Sequence, residues 1–140
     1  MPKIKTVLGF DFGVKYIGIA VGYTMPALAQ PLTSVQAMIG EPNWQEIISL
    51  VALWSPDALI VGIPLNMDGT EQWVSRAARR FADHLTQRFN LPVFRVDERL
   101  TTVEARARLF AMGGHKALRK RAVDSVAAQL IIETWLDSYL

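Results

Sequence analysis

The N-terminal third of the chain alternates short apolar runs with turn residues, a pattern typical of β-strands. Residues 6–12 and 16–23 are rich in β-branched and aromatic side chains and are separated by a turn that contains Gly13. Residues 27–37 continue the pattern more weakly, because Pro31 interrupts them. We therefore expect three consecutive strands that form a meander.

The rest of the chain alternates helical and strand patterns. Asn43 followed by Glu46 resembles a capping box, and the apolar stripe after it runs to about Trp54. The continuous apolar run 58–63 is typical of a strand buried on both faces. Four more elements are expected: a helix capped by Thr70 and stopped by Asn90, a strand at 92–96, a helix from Thr101 or Thr102, and a helix at 122–139. The order βββαβαβα plus a C-terminal helix predicts an α/β fold with a five-stranded mixed sheet, in a single domain over residues 1–140.

Composition narrows the compartment and the class of partner. The chain has no cysteine, no signal-peptide core and no apolar run near the roughly 20 residues of a membrane span, so we expect a cytoplasmic protein without a membrane partner. Residues 71–140 hold twelve Lys and Arg against eight Asp and Glu, whereas residues 1–70 hold three against five. Such an arginine-rich half suits phosphate contacts, and it also fits a solvated helix surface.

One acid interrupts the first apolar run. Because side chains alternate along a strand, Asp11 shares a face with Val7 and Gly9, and the apolar residues between them point the other way. An unpaired carboxylate buried on a sheet costs several kcal/mol. Asp11 therefore needs a partner, water or a cation, unless it is a structural acid that bonds the turn at Gly13.

Two further acids are candidates for the same site. Glu98 follows the strand at 92–96, at the end where a parallel sheet opens its binding crevice, and we assign it the inward position and Asp97 a structural one. Asp124 shares a helical face with Ala127 and Ala128, which should pack on the sheet. The alternative for Glu98 is a position in a surface turn. The alternative for Asp124 is an acid in the first turn of a helix, where the helix dipole stabilises its negative charge.

Three carboxylates at one crevice would repel one another. Each pair at ~4 Å costs on the order of 4 kcal/mol at an effective dielectric constant near 20, so a cation must offset the repulsion. With no Cys and only two His, the ligands would all be oxygen, which favours Mg²⁺ or Mn²⁺. Basic residues just before Asp124 would hold a polyanion such as nucleic acid over the metal; these are Lys116, Arg119, Lys120 and Arg121.

Four stretches of the chain resemble the YqgF/RuvX family. In order along the chain they are DFGVKYIGIAVG from Asp11, VGIPLNMDGTE from Val61, DERLTTVEAR from Asp97 and VDSVAAQLIIE from Val123. The resemblance implies a ribonuclease H-like fold related to Holliday-junction resolvases of the RuvC type. It also implies a bacterial cytoplasmic nuclease that processes the 5′ end of pre-16S ribosomal RNA, with junction resolution as the older proposal.

Carried onto this sequence, the family's catalytic acids and metal ligands fall on Asp11, Glu98 and Asp124, with Mg²⁺ or Mn²⁺ assisting hydrolysis. The expected nucleic-acid contacts are Lys15, Arg99, Lys116, Arg119, Lys120 and Arg121. The run 58–63 departs from the wider superfamily, because Gly62 stands where many such nucleases carry an acid. We expect Glu98 to take that place from the neighbouring strand.

The implied partner is nucleic acid, with precursor ribosomal RNA first and branched DNA second, and with ribosomal precursor particles as a further partner. The protein would act as a monomer or a homodimer. Two other functions stay open at this point, a Holliday-junction resolvase and a non-catalytic nucleic-acid-binding module of the same fold. An ATPase of the actin type needs two such domains, and 140 residues are too few for them.

Overall fold

A six-stranded mixed sheet forms the centre of the molecule, with helices packed on both of its faces. The computed structural model describes residues 3–38, 41–98, 101–113 and 120–140. The strands are β1 (Thr6–Asp11), β2 (Tyr16–Thr24), β3 (Ala27–Met38), β4 (Glu41–Pro42), β5 (Ala58–Ile63) and β6 (Val93–Asp97). The helices are α1 (Trp44–Trp54), α2 (Trp73–Phe89), α3 (Thr101–Gly113) and α4 (Lys120–Tyr139).

The strand order is β4-β3-β2-β1-β5-β6. The first three strands pair antiparallel, which confirms the predicted meander, and β5 and β6 extend the sheet in parallel from β1. Because β1, β5 and β6 run in the same direction, their C-terminal ends lie at one edge of the sheet. This edge carries Asp11, Ile63 and Asp97.

The predicted count of five strands is wrong by one. Glu41 and Pro42 form the short strand β4, which pairs with Met38 and Ala37 at the edge of the sheet. Two residues leave no alternating apolar pattern, so only the pairing reveals this strand. The α/β class and the order of the other elements are confirmed.

The predicted start of α2 is also wrong. Thr70 closes a turn instead, because both its backbone N–H and its hydroxyl donate to Asp68 Oδ1, at 2.9 and 2.6 Å. The helix begins three residues later at Trp73, where the N–H of Gln72 donates to Ser75 Oγ at 2.9 Å. The other end agrees with the sequence, since Asn90 ends α2 in the left-handed conformation with φ 53°.

The two faces of β1 bury different helices, as the alternation of its side chains predicts. Leu8, Phe10 and Phe12 point into the larger core, which packs against α1 and α2. Val7 points to the other face, which α4 covers with Ala128, Ile131, Ile132 and Trp135. Asp11 lies an even number of residues after Val7 on β1, so its side chain points to the same face, which α4 covers. Among the described residues, no helix combines the length and the apolar composition that a membrane crossing needs.

Candidate active site

Asp11 is the last residue of β1 and lies between two glycines. Gly18 of β2 pairs with it on one side, and Gly62 of β5 pairs with it on the other. Directly paired residues of neighbouring strands point to the same face, so neither neighbour of Asp11 places a side chain beside its carboxylate. Two open spaces therefore flank Asp11 at the edge of the sheet.

Glu98 fills the space above Gly62. Its backbone N–H donates to the carbonyl of Ile63 at 3.2 Å, which extends the pairing of β5 and β6 by one residue. A Cβ built on Gly62 would lie 2.3 Å from Ile131 Cδ1 of α4 and 2.8 Å from Glu98 Oε2, so these two side chains occupy the volume that any side chain at position 62 would need. Glu98 is 9% exposed, whereas Asp97 is exposed. The inward position expected for Glu98 matches this arrangement.

Asp124 approaches the opposite side of Asp11, above Gly18. A Cβ built on Gly18 would lie 1.9 Å from the carbonyl oxygen of Asp124 and 2.9 Å from its Cβ. Helix α4 therefore rests on the backbone of β2 at this point, and Asp124 Oδ2 is shielded from solvent. The structure thus brings Asp11, Glu98 and Asp124 to one edge and one face of the sheet, although β1 and α4 lie near opposite ends of the chain.

The carboxyl of Glu98 is held in its protonated form. Burial raises its pKa from 4.5 to about 10, and the charge of Asp11, a side-chain hydrogen bond with Asp11 and the charge of Asp97 act in the same direction. The side chains of Asp11 and Glu98 are therefore within hydrogen-bonding distance of each other. A divalent cation would replace the proton of Glu98 and relieve the repulsion that retains it.

The stability of the metal-free protein is expected to fall as pH rises from about 5 towards 10. The contribution is fully present below the unfolded pKa of 4.5 and is lost on the way to about 10, because the folded state retains a proton that the unfolded chain releases. One such group contributes a slope of at most about 1.4 kcal/mol per pH unit. Urea unfolding at two pH values in a chelator measures this slope. Glu98→Gln should flatten it, Glu133→Gln on α4 should not, and equal slopes in all three proteins would contradict the prediction.

The carboxylate oxygens of the three acids are the type of ligand that a hard divalent cation prefers, but the side chains are not already arranged around a metal position. Within the residues that the structure describes, no three His, Asp or Glu side chains are grouped closely enough to hold a metal as they stand. Asp11 and Glu98 contact each other, and Asp124 lies across Gly18. The donors are all oxygen and Glu98 is buried and proton-loaded, which is the state that a bound cation would reverse.

The basic residues predicted to contact nucleic acid are only partly described. Lys15 is exposed in the turn between β1 and β2, beside Asp11, and its carbonyl accepts from the N–H of Ala37 at 2.7 Å. Lys120 and Arg121 begin α4, but the structure describes only their backbone. Arg99, Lys116 and Arg119 lie outside the described residues.

Sequence reasoning missed the part that Gly18 plays, whereas at Gly62 it expected Glu98 to take the place of an acid. Both lie inside strands, and a glycine inside a strand is a known signal of close backbone approach. Which atoms approach cannot be deduced from that signal, since Gly18 meets the backbone of α4 and Gly62 meets both the Ile131 side chain of α4 and the carboxyl of Glu98. A cavity beside Phe12 on the opposite face of the sheet was missed as well.

The sheet order and the acidic edge define a ribonuclease H-like α/β protein. Among solved structures, RuvC of Thermus thermophilus matches with a TM-score of 0.58 and 16% identity, covering 96% of each chain. The same RuvC in complex with a Holliday junction substrate matches with a TM-score of 0.56 and 15% identity, again covering 96% of both chains. At these identities the likeness concerns the fold.

The chain belongs to the RuvX family, whose model is described as Holliday junction resolvase and matches residues 5–138. A relative from Shewanella oneidensis is 55% identical over 135 residues and is named "Putative pre-16S rRNA nuclease". The alignment covers 96% of this chain and 96% of that protein. A relative of the same name from Shewanella denitrificans is 52% identical over 138 residues, which covers 99% of this chain and 98% of the relative. The family expected from the four motifs is confirmed.

Proposed function

We propose that this protein is a metal-dependent nuclease that hydrolyses phosphodiester bonds in the bacterial cytoplasm, and that its substrate is the 5′ end of pre-16S ribosomal RNA. The observation that carries the proposal is the contact between the carboxyls of Asp11 and Glu98 above Gly62, with Asp124 on the other side of Asp11. The names of the full-length relatives support the choice of substrate. Asp11, Glu98 and Asp124 are the catalytic residues, and all of residues 1–140 form one nuclease domain.

The same three residues would hold Mg²⁺ or Mn²⁺, which when bound would activate a water for in-line attack on the phosphorus; a second ion, if bound, would stabilise the departing oxygen. Asp11 is fixed by the pairing of β1 with both neighbouring strands. Glu98 supplies a second carboxylate once its proton is displaced, and its burial keeps bulk water away from that oxygen. Asp124 supplies the third from a helix that is packed on the sheet.

Substrate binding falls to the basic residues around the acids. Lys15 projects from the turn that follows Asp11 and would contact a phosphate next to the scissile bond. The remaining contacts in the proposal are Arg99, Lys116, Arg119, Lys120 and Arg121, which lie near Glu98 or Asp124 in the sequence. Arginine suits this part because its planar group donates two hydrogen bonds to one phosphate.

A second candidate function is resolution of four-way DNA junctions. The description of the family model and the fold match to RuvC bound to a junction favour it. A symmetric junction would need two active sites and therefore a homodimer, whereas trimming one RNA end needs only a monomer. A non-catalytic binding module of the same fold would bind nucleic acid without cleaving it, and Asp11→Asn would leave that binding unchanged or improve it.

The experiment that separates these functions uses matched substrates. A precursor ribosomal RNA that carries the 5′ extension and a four-way DNA junction are each incubated with the wild type and with Asp11→Asn, with and without Mg²⁺. Cleavage of the RNA alone, dependent on both Mg²⁺ and Asp11, is the expected result. Cleavage of the junction alone would establish the second candidate, and binding without cleavage of either substrate would overturn the nuclease.

Saturating Mg²⁺ is expected to raise the melting temperature. An ion at about 100 times its dissociation constant adds ~2.7 kcal/mol to the folded state, which corresponds to about 8 °C for a domain of this size. Thermal unfolding across a magnesium titration measures the shift. Asp124→Asn should reduce the shift strongly, whereas Asp137→Asn, an exposed acid on the same helix, should leave it intact. A melting temperature of the wild type that does not respond to Mg²⁺ would count against the metal site.

A further inference from the structure

A cavity of about 310 Å³ opens behind the segment that follows Asp11, on the face of the sheet opposite the acids. The residues of its wall that matter here are Phe12, Val14, Trp73, Arg80, Phe81 and His84. The volume is at the lower end of the roughly 300–1,000 Å³ typical of ligand sites. It therefore has room for a planar ring system such as a nucleobase.

One side of α2 supplies most of this wall. Trp73, Arg80 and His84 recur at the helical spacing that places side chains on one face. Phe81 forms the base of the cavity, because it is 3% exposed and its ring lies 5.3 Å from that of Phe12. The cavity is thus built on a rigid helix and on the core.

Trp73 is the conspicuous member of the wall, because 61% of it is exposed. The other tryptophan nearby, Trp44, already stacks on Phe81 at 5.7 Å and has the Arg88 guanidinium 4.1 Å from its ring centre. Among the described residues, Trp73 takes part in no such ring pair. Its exposed indole therefore offers a ring face on which a second ring can stack.

Two cations at and beside the cavity suit the phosphates of a nucleic-acid strand, although Glu41 balances the charge of Arg80 within the wall itself. Arg80 in its wall and Lys15 in the adjoining turn are both exposed and positive. Glu41 also lies in the wall, and its Oε1 accepts a hydrogen bond from the indole N–H of Trp44 at 3.0 Å. An exposed indole beside a guanidinium is how proteins hold the face of a single unstacked base.

We propose that this cavity binds one unpaired nucleobase of the RNA strand whose phosphate lies at Asp11. The inference rests on the proposed function, because that function places the strand. Phe12 directly follows Asp11, with the two Cα atoms about 3.8 Å apart, so a strand that crosses the β1–β2 turn reaches both faces of the sheet. Bases inside a duplex are stacked on both sides and cannot enter, so the cavity selects a single-stranded segment next to the cleavage position.

The test measures binding of a short single-stranded RNA to the Asp11→Asn protein, which needs no cleavage. Trp73→Ala in that background is expected to raise the Kd about 5- to 160-fold, the range for loss of one base–aromatic stack. Trp73→Phe should restore most of the affinity, and Arg80→Ala should weaken binding less than Trp73→Ala does. Arg79→Ala is the matched control, because Arg79 is on the same helix but pairs with Glu71 at 2.5 Å outside the cavity wall, and it should change the Kd by less than about twofold.

A second measurement identifies the base. RNAs that lack one base at successive positions should each be compared on the Asp11→Asn protein with and without Trp73→Ala. At one position, removal of the base should weaken RNA binding only in the protein that retains Trp73. Equal Kd values with and without Trp73→Ala, or an equal loss of affinity for a blunt RNA duplex, would overturn the base site. Binding that depends on Trp73 in a protein whose wild type never cleaves RNA would overturn the nuclease and support the base site, so the two failures are distinct.

Discussion

Asp11→Asn is expected to lower kcat/KM for RNA cleavage by at least about a thousandfold at saturating Mg²⁺. Asparagine keeps the shape of the side chain but removes the negative charge that lies between Glu98 and Asp124, so the proposed cation would lose one of its three ligands. A thousandfold loss corresponds to about 4 kcal/mol of transition-state stabilisation, which is within what a bound metal ion supplies. Steady-state cleavage of the precursor RNA measures the change.

The control for this loss is Asp137→Asn, which removes an exposed acid of α4 at a distance from the trio along the helix. It should retain activity within about twofold of the wild type. The melting temperature and RNA affinity of Asp11→Asn should be reported with its activity, because a folded protein that binds but does not cleave isolates the catalytic step. Activity of Asp11→Asn within tenfold of the wild type would contradict the proposed site.

Gly18→Ala is expected to lower the free energy of unfolding by about 3 kcal/mol or more, the upper part of the range for overpacking. The added methyl would lie 1.9 Å from the carbonyl oxygen of Asp124, which belongs to the backbone of α4 and cannot turn aside. The helix would have to lift from the sheet, and cleavage should fall with it because Asp124 moves away from Asp11. Urea unfolding and an RNA cleavage assay measure the two effects.

Gly22→Ala is the matched control for Gly18→Ala, because it is the same substitution on the same strand and the same face. Its methyl would meet Ile132 Cγ2 at 2.5 Å, which is part of a side chain that can change rotamer. We expect a smaller loss of stability and little effect on cleavage. Equal free energies of unfolding for the two alanine variants would contradict the close approach of the α4 backbone to Gly18.

The alternating pattern of β1 predicted the most important feature of the site. It placed Asp11 on the face opposite Phe10, and the structure confirms this by burying Phe10 against α2 and Val7 against α4. The inward position of Glu98 could also be predicted from the sequence, because the C-terminal ends of parallel strands lie together at one edge of the sheet. The catalytic and metal-binding roles of these acids stay predictions.

The parts that the sequence did not reveal depend on pairing across the chain. β4 is too short to show an alternating pattern. Thr70 has the sequence features of a helix cap, and only its hydrogen bonds to Asp68 show that it belongs to a turn. The part played by Gly18 is visible only when it is found paired with Asp11 and in contact with α4. The cavity at Trp73 combines residues of the β1–β2 segment, β4 and α2, and no local motif joins these segments.

Helix α4 contributes both the apolar cover of one face of the sheet and the third acid, Asp124. A molecule in which this helix has detached no longer holds Asp124 beside Asp11, and it exposes its hydrophobic core at the same time. Under the proposed function, partial unfolding at α4 would therefore abolish cleavage. In a urea titration, loss of activity should coincide with loss of helical structure and should not lag behind it.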